Sequence, residues 1–227
     1  MLDVLFREIC PGCGGVSGAG FCSVCAADLP RTRDACSRCG LARPVARCPR
    51  QAAAWHVDAV VAPFAYAPPL DHHIQQLKYA GARSLGRAFG LLIAPEVRDA
   101  CSDVDALVAV PLHPTRLRER GYNQAIEIAR PLCRLLGVPM LLRGIERRHA
   151  SPSQTGGSAL QRLTSVAAAF RVARGLSGVR LAIVDDVITT GATVNALAAE
   201  LLAAGATRCI AVAAARTPEA ARQPRKR

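Results

Sequence analysis

The stretch that decides the fold is LAIVDDVITTGATVNALAAEL, residues 181–201. It begins as an apolar run, places Asp185 and Asp186 side by side, and continues into a bend rich in threonine. Its last part is rich in alanine and leucine, with apolar residues at helical spacing. The order predicts a buried strand, a hydroxyl-bearing bend and a helix, which together form the repeating unit of an α/β fold.

The bend after the two aspartates is predicted to bind an anion. The strand RLAIVDDV (180–187) would bring Asp185 and Asp186 to the carboxyl edge of the sheet, where ligands bind in α/β proteins. The N–H groups that open the next helix attract anions, and Gly191 lets the backbone approach a ligand. Carboxylates suit ribose hydroxyls and the bend suits a phosphate, so we predict a sugar-phosphate site. The alternative is a simple N-capped helix after a strand that ends in aspartate.

Apolar strands alternate with helices along the rest of the larger part of the chain. The predicted strands are VDAVVAPFAY (57–66), VDALVAVP (104–111), VPMLL (138–142), RLAIVDDV (180–187) and RCIAVAAA (208–215). The predicted helices are LDHHIQQLKYAG (70–81), SLGRAFGLLIAPEV (84–97), NQAIEIARPLCRLLG (123–137), weakened by Pro131, and ATVNALAAELLAAGA (192–206). This alternation predicts an α/β fold, with a mostly parallel sheet flanked by helices on both faces.

Seven of the ten cysteines lie between Cys10 and Cys48, which predicts a small N-terminal cysteine-rich, zinc-binding segment. The run CPGCGGVSGAGFCSVC (10–25) supplies two C-x-x-C pairs, formed by Cys10, Cys13, Cys22 and Cys25. Four thiolates at this spacing suit one structural zinc ion, which would supply the folding energy of a segment too small for its own core. Disulfides or free thiols are the alternative.

A second run, CSRCGLARPVARCPRQ (36–51), repeats this layout incompletely. Cys36, Cys39 and Cys48 are present, but Gln51 stands where a fourth cysteine would fall. We predict either a second zinc with another ligand, such as His56, or no metal here.

These composition shifts predict three parts: a zinc ribbon over 1–52, an α/β domain over 53–216 and a disordered basic tail over 217–227. The net charge of +12 suits a polyanionic partner, although the excess of arginine over lysine equally fits a genome-wide bias. Aromatic residues make up only 4%, which argues against a platform of stacked bases. The sequence contains neither an apolar stretch long enough to span a bilayer nor a leader at its start, so we expect a cytoplasmic location without membrane insertion.

The motif IVDDVITTGAT (183–193) resembles the 5-phosphoribosyl-1-pyrophosphate (PRPP) motif of type I phosphoribosyltransferases. Over nearly the whole chain the resemblance narrows to the ComF-like family, whose members carry an N-terminal zinc ribbon and are linked to competence and DNA uptake. The other matching pieces are FAYAPPLDHHIQQLKYAG (64–81), VAVPLHPTRLRERGYNQA (108–125) and SPSQTGGSALQRLTSVAAAF (151–170). The resemblance implies a phosphoribosyltransferase-like fold and binding of PRPP with Mg²⁺.

The resemblance also implies roles for individual residues. The PRPP-binding residues would be Asp185, Asp186, Thr189, Thr190, Gly191, Ala192 and Thr193. The pyrophosphate-side loop would contain Arg116, Arg120, Gly121, Tyr122, Asn123 and Gln124, and guanidinium groups there can each bind two phosphate oxygens. A solvated arginine loop and a solvated helix-end Lys78 are the alternatives to ligand-binding roles for these cations. A mobile loop would contribute Gln154 and Arg162, but Ser153 and Ser165 depart from the family pattern there.

The implied reaction is displacement of pyrophosphate from C1 of PRPP by a nitrogenous base or another small acceptor. His113 is a weak candidate for a general base, and the region 66–90 with the loop near 143 is predicted to form the acceptor pocket. Two other functions remain open: a non-catalytic, PRPP-regulated competence protein that binds single-stranded DNA or other competence proteins, and a sensor of PRPP.

Overall fold

The computed structural model describes residues 8–44, 48, 55–148, 169–173 and 175–218. Its strands are β1 (Glu8–Ile9), β2 (Val16–Ser17), β3 (Ala59–Val61), β4 (Phe64–Ala65), β5 (Ala106–Ala109), β6 (Ile145–Arg147), β7 (Phe170–Val172), β8 (Arg180–Ile188) and β9 (Arg208–Arg216). Its helices are α1 (Ser23–Asp28), α2 (Leu70–Tyr79), α3 (Ser84–Ala100), α4 (Pro114–Arg120), α5 (Gln124–Leu136) and α6 (Ala192–Ala203).

The central sheet has the strand order β3-β9-β8-β5, with every pair parallel, and β4 also pairs with β9. Helices α2, α3 and α5 pack against one face, and α6 packs against the other together with the antiparallel β6-β7 pair. Both faces are therefore covered, which explains why the central parts of the strands are apolar on both sides. The predicted fold class, a mostly parallel sheet flanked by helices, is confirmed.

Three of the predicted elements differ in detail from those in the structure. The strand predicted over 57–66 is divided into β3 and β4, and VPMLL contributes only a single bridge, between Met140 and Leu107. Helix α5 continues through Pro131, and α3 packs closely against it at Gly90. A Cβ atom at Gly90 would lie 2.4 Å from Cγ of Pro131, so only glycine allows the two helices to approach this closely.

Strand β8 continues past the acidic pair and ends one residue later than the predicted 180–187. It pairs with β9 as far as Ile188, because β9 is equally long, whereas β5 ends opposite Val184. Asp185 and Asp186 therefore lie inside the β8-β9 ladder but beyond the end of β5. The carboxyl edge of the sheet is stepped, and the two aspartates stand at the step.

The cysteine-rich segment packs onto the α/β part. The Phe21 and Phe89 rings lie 5.4 Å apart, and a Cβ atom at Gly20 would lie 3.0 Å from Cα of Ala88, so this part of the segment rests on α3. The following turn reaches the sheet, where the N–H of Val60 donates to the carbonyl of Ser37 at 2.8 Å.

Among the described residues, none of the helices combines the length and the apolar character needed to cross a membrane.

Candidate functional site

The acidic pair is joined to α2 by an ion pair. Nζ of Lys78 lies 3.0 Å from Oδ1 of Asp186, whose side chain is only 4% exposed. Burial alone would lower the pKa of Lys78, but the Asp186 carboxylate raises it above its ordinary value, so the ammonium stays charged. Lys78 is therefore the partner of Asp186 rather than a solvated lysine at the end of a helix, and its role toward a ligand stays a prediction.

Asp185 has a different environment from its neighbour. Burial and the adjacent Asp186 carboxylate raise the pKa of Asp185 to about 7, against the opposing effect of Lys78. Arg147 on β6 also acts on Asp185, and burial lowers the pKa of this arginine. A carboxyl group that titrates near neutrality beside one held in an ion pair can respond to the arrival of a cation or a phosphate.

The bend after β8 leads directly into α6. Thr189 and Thr190 are exposed, Gly191 has φ 87°, and Oγ1 of Thr190 accepts a hydrogen bond from the N–H of Ala192 at 3.2 Å. Thr193 lies in the first turn of α6, where helix N–H groups lack intrahelical partners. We call residues 189–193 the threonine loop. Its exposed hydroxyls and N–H groups can bind an anion at the positive end of the helix.

The arginines predicted to lie on a loop lie instead on a short helix, α4, which ends at Gly121 in the left-handed conformation. Proline at its first position and the N-cap His113, whose Nδ1 accepts from the N–H of Thr115, explain why this arginine-rich stretch is helical. Arg116, Arg120 and Lys78 line one cavity of about 290 Å³. This cavity brings three cations together next to the acidic pair.

The other residues predicted on the pyrophosphate side are largely engaged inside the fold. The Tyr122 hydroxyl donates to the carbonyl of Leu77, and Nδ2 of Asn123 donates to the carbonyl of Val110 at 2.9 Å. Gln124 accepts from Arg120 at 2.6 Å. These contacts fix α4 and α5 against α2 and β5, so they hold the arginines in position.

A larger cavity, of about 720 Å³, lies between α4, α5 and β6. It is lined by His113, Tyr122, Asn123 and Ile145, among others, and Arg83 and Glu127 pair across it at 2.7 Å. It includes parts of both regions predicted to form the acceptor pocket. Gln154 and Arg162 lie outside the described residues.

The acidic pair fits a magnesium ion that arrives with its ligand. Proteins hold Mg²⁺ through one or two carboxylates and the phosphates of a substrate, rather than through a complete protein cage. Asp185 and Asp186 supply two carboxylates that are consecutive in the chain, Asp186 against Lys78 of α2 and Asp185 near Arg147 of β6. Oδ2 of Asp186 is buried and has no hydrogen-bond partner within the described part of the chain.

Cys10, Cys13, Cys22 and Cys25 form the first cysteine group, in which the sulfur atoms all lie within 4.8 Å of one another. The Cys13 and Cys22 sulfurs are 3.9 Å apart, close to the spacing of about 3.8 Å that follows from tetrahedral Zn–S bonds of about 2.3 Å. Burial would raise the pKa of Cys10, but N–H donors from Cys22, Cys13 and Gly12 lower it to about 6. The spacing of the four sulfurs therefore suits a zinc ion.

Cys36, Cys39 and Cys48 form the second cysteine group, whose three sulfurs also lie within 4.8 Å of one another. His56, suggested as its fourth ligand, is not a member of the group, because its segment is attached elsewhere: the N–H of His56 donates to Oδ1 of Asn195 on α6 at 2.6 Å. Gln51 lies outside the described residues. The second group offers a metal three thiolates from the part of the chain that the structure describes.

These features define an α/β protein with a stepped parallel sheet, a cation-lined cavity beside an acidic pair, and two N-terminal cysteine groups. The chain is 34% identical over 197 residues to DNA utilization protein YhgH of Salmonella typhi and of Escherichia coli, covering 82% of this chain and 86% of each relative. It is 32% identical over 206 residues to competence protein F of Haemophilus influenzae, covering 84% of this chain and 89% of the relative. The chain therefore belongs to the competence protein F (ComF) family, as its resemblance indicated.

No protein-family model matches the chain. Among solved structures it is similar to a purine phosphoribosyltransferase from Pyrococcus horikoshii, with 19% identity and a TM-score of 0.37 over 58% of this chain and 72% of the other. A glutamine PRPP amidotransferase from Bacillus subtilis gives 19% identity and a TM-score of 0.39, over 61% of this chain and 30% of the other.

Three residues near the site escaped sequence reasoning. Arg147 approaches Asp185 from a hairpin that has no motif, and Trp55 covers Gly191, whose Cβ would lie 2.6 Å from the indole ring. Arg216 ends β9 and is only 2% exposed. The sequence does offer one indication for Arg216, since it is a charged residue that directly follows the apolar run of β9.

Proposed function

We propose that the protein binds PRPP with Mg²⁺ at the stepped edge of the sheet. The threonine loop would receive the 5′-phosphate, the two aspartates the ribose hydroxyls and the metal, and the cavity lined by Lys78, Arg116 and Arg120 the pyrophosphate. The observation that carries this proposal is the Lys78–Asp186 ion pair, because it joins the cation-lined cavity to the acidic pair at 3.0 Å.

The ion pair also gives a reason for the change on binding. Without ligand, Lys78 compensates a carboxylate that is almost fully buried. A bound pyrophosphate would attract the ammonium of Lys78, and a bound magnesium ion would take over the charge of Asp186. Asp185, whose pKa is about 7, would then lose its proton beside the metal.

We infer that the reaction is displacement of pyrophosphate from C1 of PRPP by a nitrogenous base or another small acceptor. The residues act by positioning: Arg116 and Arg120 hold the leaving pyrophosphate, and the threonine loop fixes the ribose. Magnesium, when bound, neutralises the charge that develops on the leaving group. The larger cavity between α4 and β6 is the place we propose for the acceptor, because Arg147, which lines it, also interacts with Asp185.

A DNA-associated function is the second candidate. The relatives carry the names DNA utilization protein and competence protein F, and the net charge of +12 suits a polyanion. In this form of the proposal, PRPP regulates the protein and the zinc ribbon over 1–52 contacts single-stranded DNA. Strongly salt-dependent DNA binding that disappears when clustered arginines are removed would favour it.

Calorimetry with PRPP and Mg²⁺ tests the proposed site. We expect the double variant Asp185→Asn, Asp186→Asn to lose PRPP binding while circular dichroism shows an intact fold. The matched control is Asp105→Asn, which removes an exposed carboxylate that pairs with Arg180 at 2.8 Å at the start of β5, the opposite edge of the sheet. Unchanged PRPP binding in the double variant would refute the site.

Pyrophosphate release separates transfer from binding alone. Purified protein is incubated with PRPP, Mg²⁺ and a panel of purine, pyrimidine and other nitrogenous bases. Release with one of them identifies the acceptor class, whereas binding of PRPP without release from any base favours the regulatory function.

A further inference from the structure

Arg216 makes buried contacts that the proposed chemistry does not use. Its side chain is buried at the end of β9, with 2% of the residue exposed. Nε donates to the carbonyl of Cys39 at 2.8 Å, and Nη1 donates to the carbonyl of Ile188 at 2.7 Å and to that of Thr189. One guanidinium therefore joins the second cysteine group to the end of β8.

Two of the three carbonyls lie where the threonine loop begins. Ile188 is the last residue of β8 and Thr189 the first of the loop, so Arg216 holds the backbone where the loop begins. The turn that carries Cys39 is in turn seated tightly on the sheet. A Cβ atom at Gly40, which has φ 71°, would lie 2.8 Å from Val60 and 3.5 Å from Cδ of Arg216.

The other end of the threonine loop is contacted by Trp55 and His56, which follow the second cysteine group in the chain. The indole ring of Trp55 covers Gly191, and the N–H of His56 donates to Asn195 in the first turns of α6. The loop is thus held at its start by Arg216 and at its end by residues 55–56. Of these two contacts, the one through Arg216 leads to the turn that carries Cys39.

We propose that Arg216 is a positioning residue that makes the phosphate affinity of the threonine loop depend on the second cysteine group. This inference rests on the proposed function, since it assigns the loop to the 5′-phosphate. Arg216 acts through the backbone of Ile188 and Thr189. A planar group with several donors can bind carbonyls of two segments at once, whereas the single ammonium of lysine binds them less well.

Calorimetry with PRPP and Mg²⁺ on Arg216→Met and Arg216→Lys tests the proposal. We expect about 3- to 30-fold weaker binding for Arg216→Met and an intermediate loss for Arg216→Lys, because coupling of this kind changes affinity by such factors. The control is Arg208→Met, at the other end of β9, which removes an ion pair with Asp103 and is expected to bind PRPP like the wild type. Wild-type affinity in Arg216→Met would overturn the proposal.

Amide hydrogen exchange tests the same contact without PRPP. We expect the N–H groups of residues 189–193 to exchange faster in both Arg216 variants and at the wild-type rate in Arg208→Met. If the wild type binds no PRPP, the proposed function fails, and the exchange rates still decide whether Arg216 holds the loop. Unchanged exchange in a folded Arg216 variant would overturn the positioning role, and Arg216→Lys provides this measurement should Arg216→Met not fold.

Discussion

The two cysteine groups look like copies of one layout but occupy different places in the molecule. The first has four sulfurs, and the segment around it rests on α3 through Phe21 and Gly20. The second has three sulfurs, and its turn touches the sheet and Arg216, next to the threonine loop. We therefore propose that the first group stabilises the fold, whereas the second lies where it can act on the candidate site.

Loss of a ligand from the first group should have the largest effect. We expect Cys10→Ser to lose about one zinc per chain and to lower the free energy of unfolding by more than about 3 kcal/mol, since structural zinc supplies folding energy directly. Metal analysis and denaturant unfolding measure the two quantities. The matched variant in the second group is Cys36→Ser. For this variant we expect a smaller loss of stability than for Cys10→Ser, together with weaker PRPP binding. Equal losses of stability in the two variants would remove the distinction.

The pH dependence of stability should distinguish the acidic pair from the two cysteine groups. We expect this effect to be smaller than that of losing a zinc ligand. A carboxyl group whose pKa rises on folding, as that of Asp185 does to about 7, keeps a proton that the unfolded chain has released. Its contribution to stability therefore falls as the pH rises from about 4 to about 7, whereas thiolate–zinc sites lose stability as the pH falls.

Denaturant unfolding between pH 5 and 7 checks this sign. Relative to Asp185→Asn, the wild type should lose stability on the order of 1 kcal/mol as the pH rises. The charged groups that face Asp185 are Asp186, which raises its pKa, and Lys78 and Arg147, which lower it. Parallel curves for the two proteins would show that Asp185 is already ionised throughout this range.

The parts of the molecule that repeat a simple pattern could be predicted from the sequence. Alternation of apolar strands and helices predicted the parallel sheet, and C-x-x-C spacing predicted the sulfur clusters. The step at the carboxyl edge could not be predicted, because it depends on β9 continuing to Arg216 while β5 ends opposite Val184. The helical form of the arginine stretch depended on a proline start and a glycine end, signals that the density of arginines obscured.

The site was predictable where it follows one stretch of chain and not where distant segments meet. The threonine loop and the acidic pair are contiguous in sequence. The ion pair from Lys78, the approach of Arg147 and the contacts of Arg216 join residues that are far apart in the chain, and no spacing rule relates them.

A crystal structure of the protein with PRPP and Mg²⁺ tests the central claim most directly. We predict density for the 5′-phosphate against residues 189–193, for the ribose beside Asp185 and Asp186, and for the pyrophosphate near Lys78. A sugar phosphate bound at another surface, with this edge of the sheet left empty, would contradict the account.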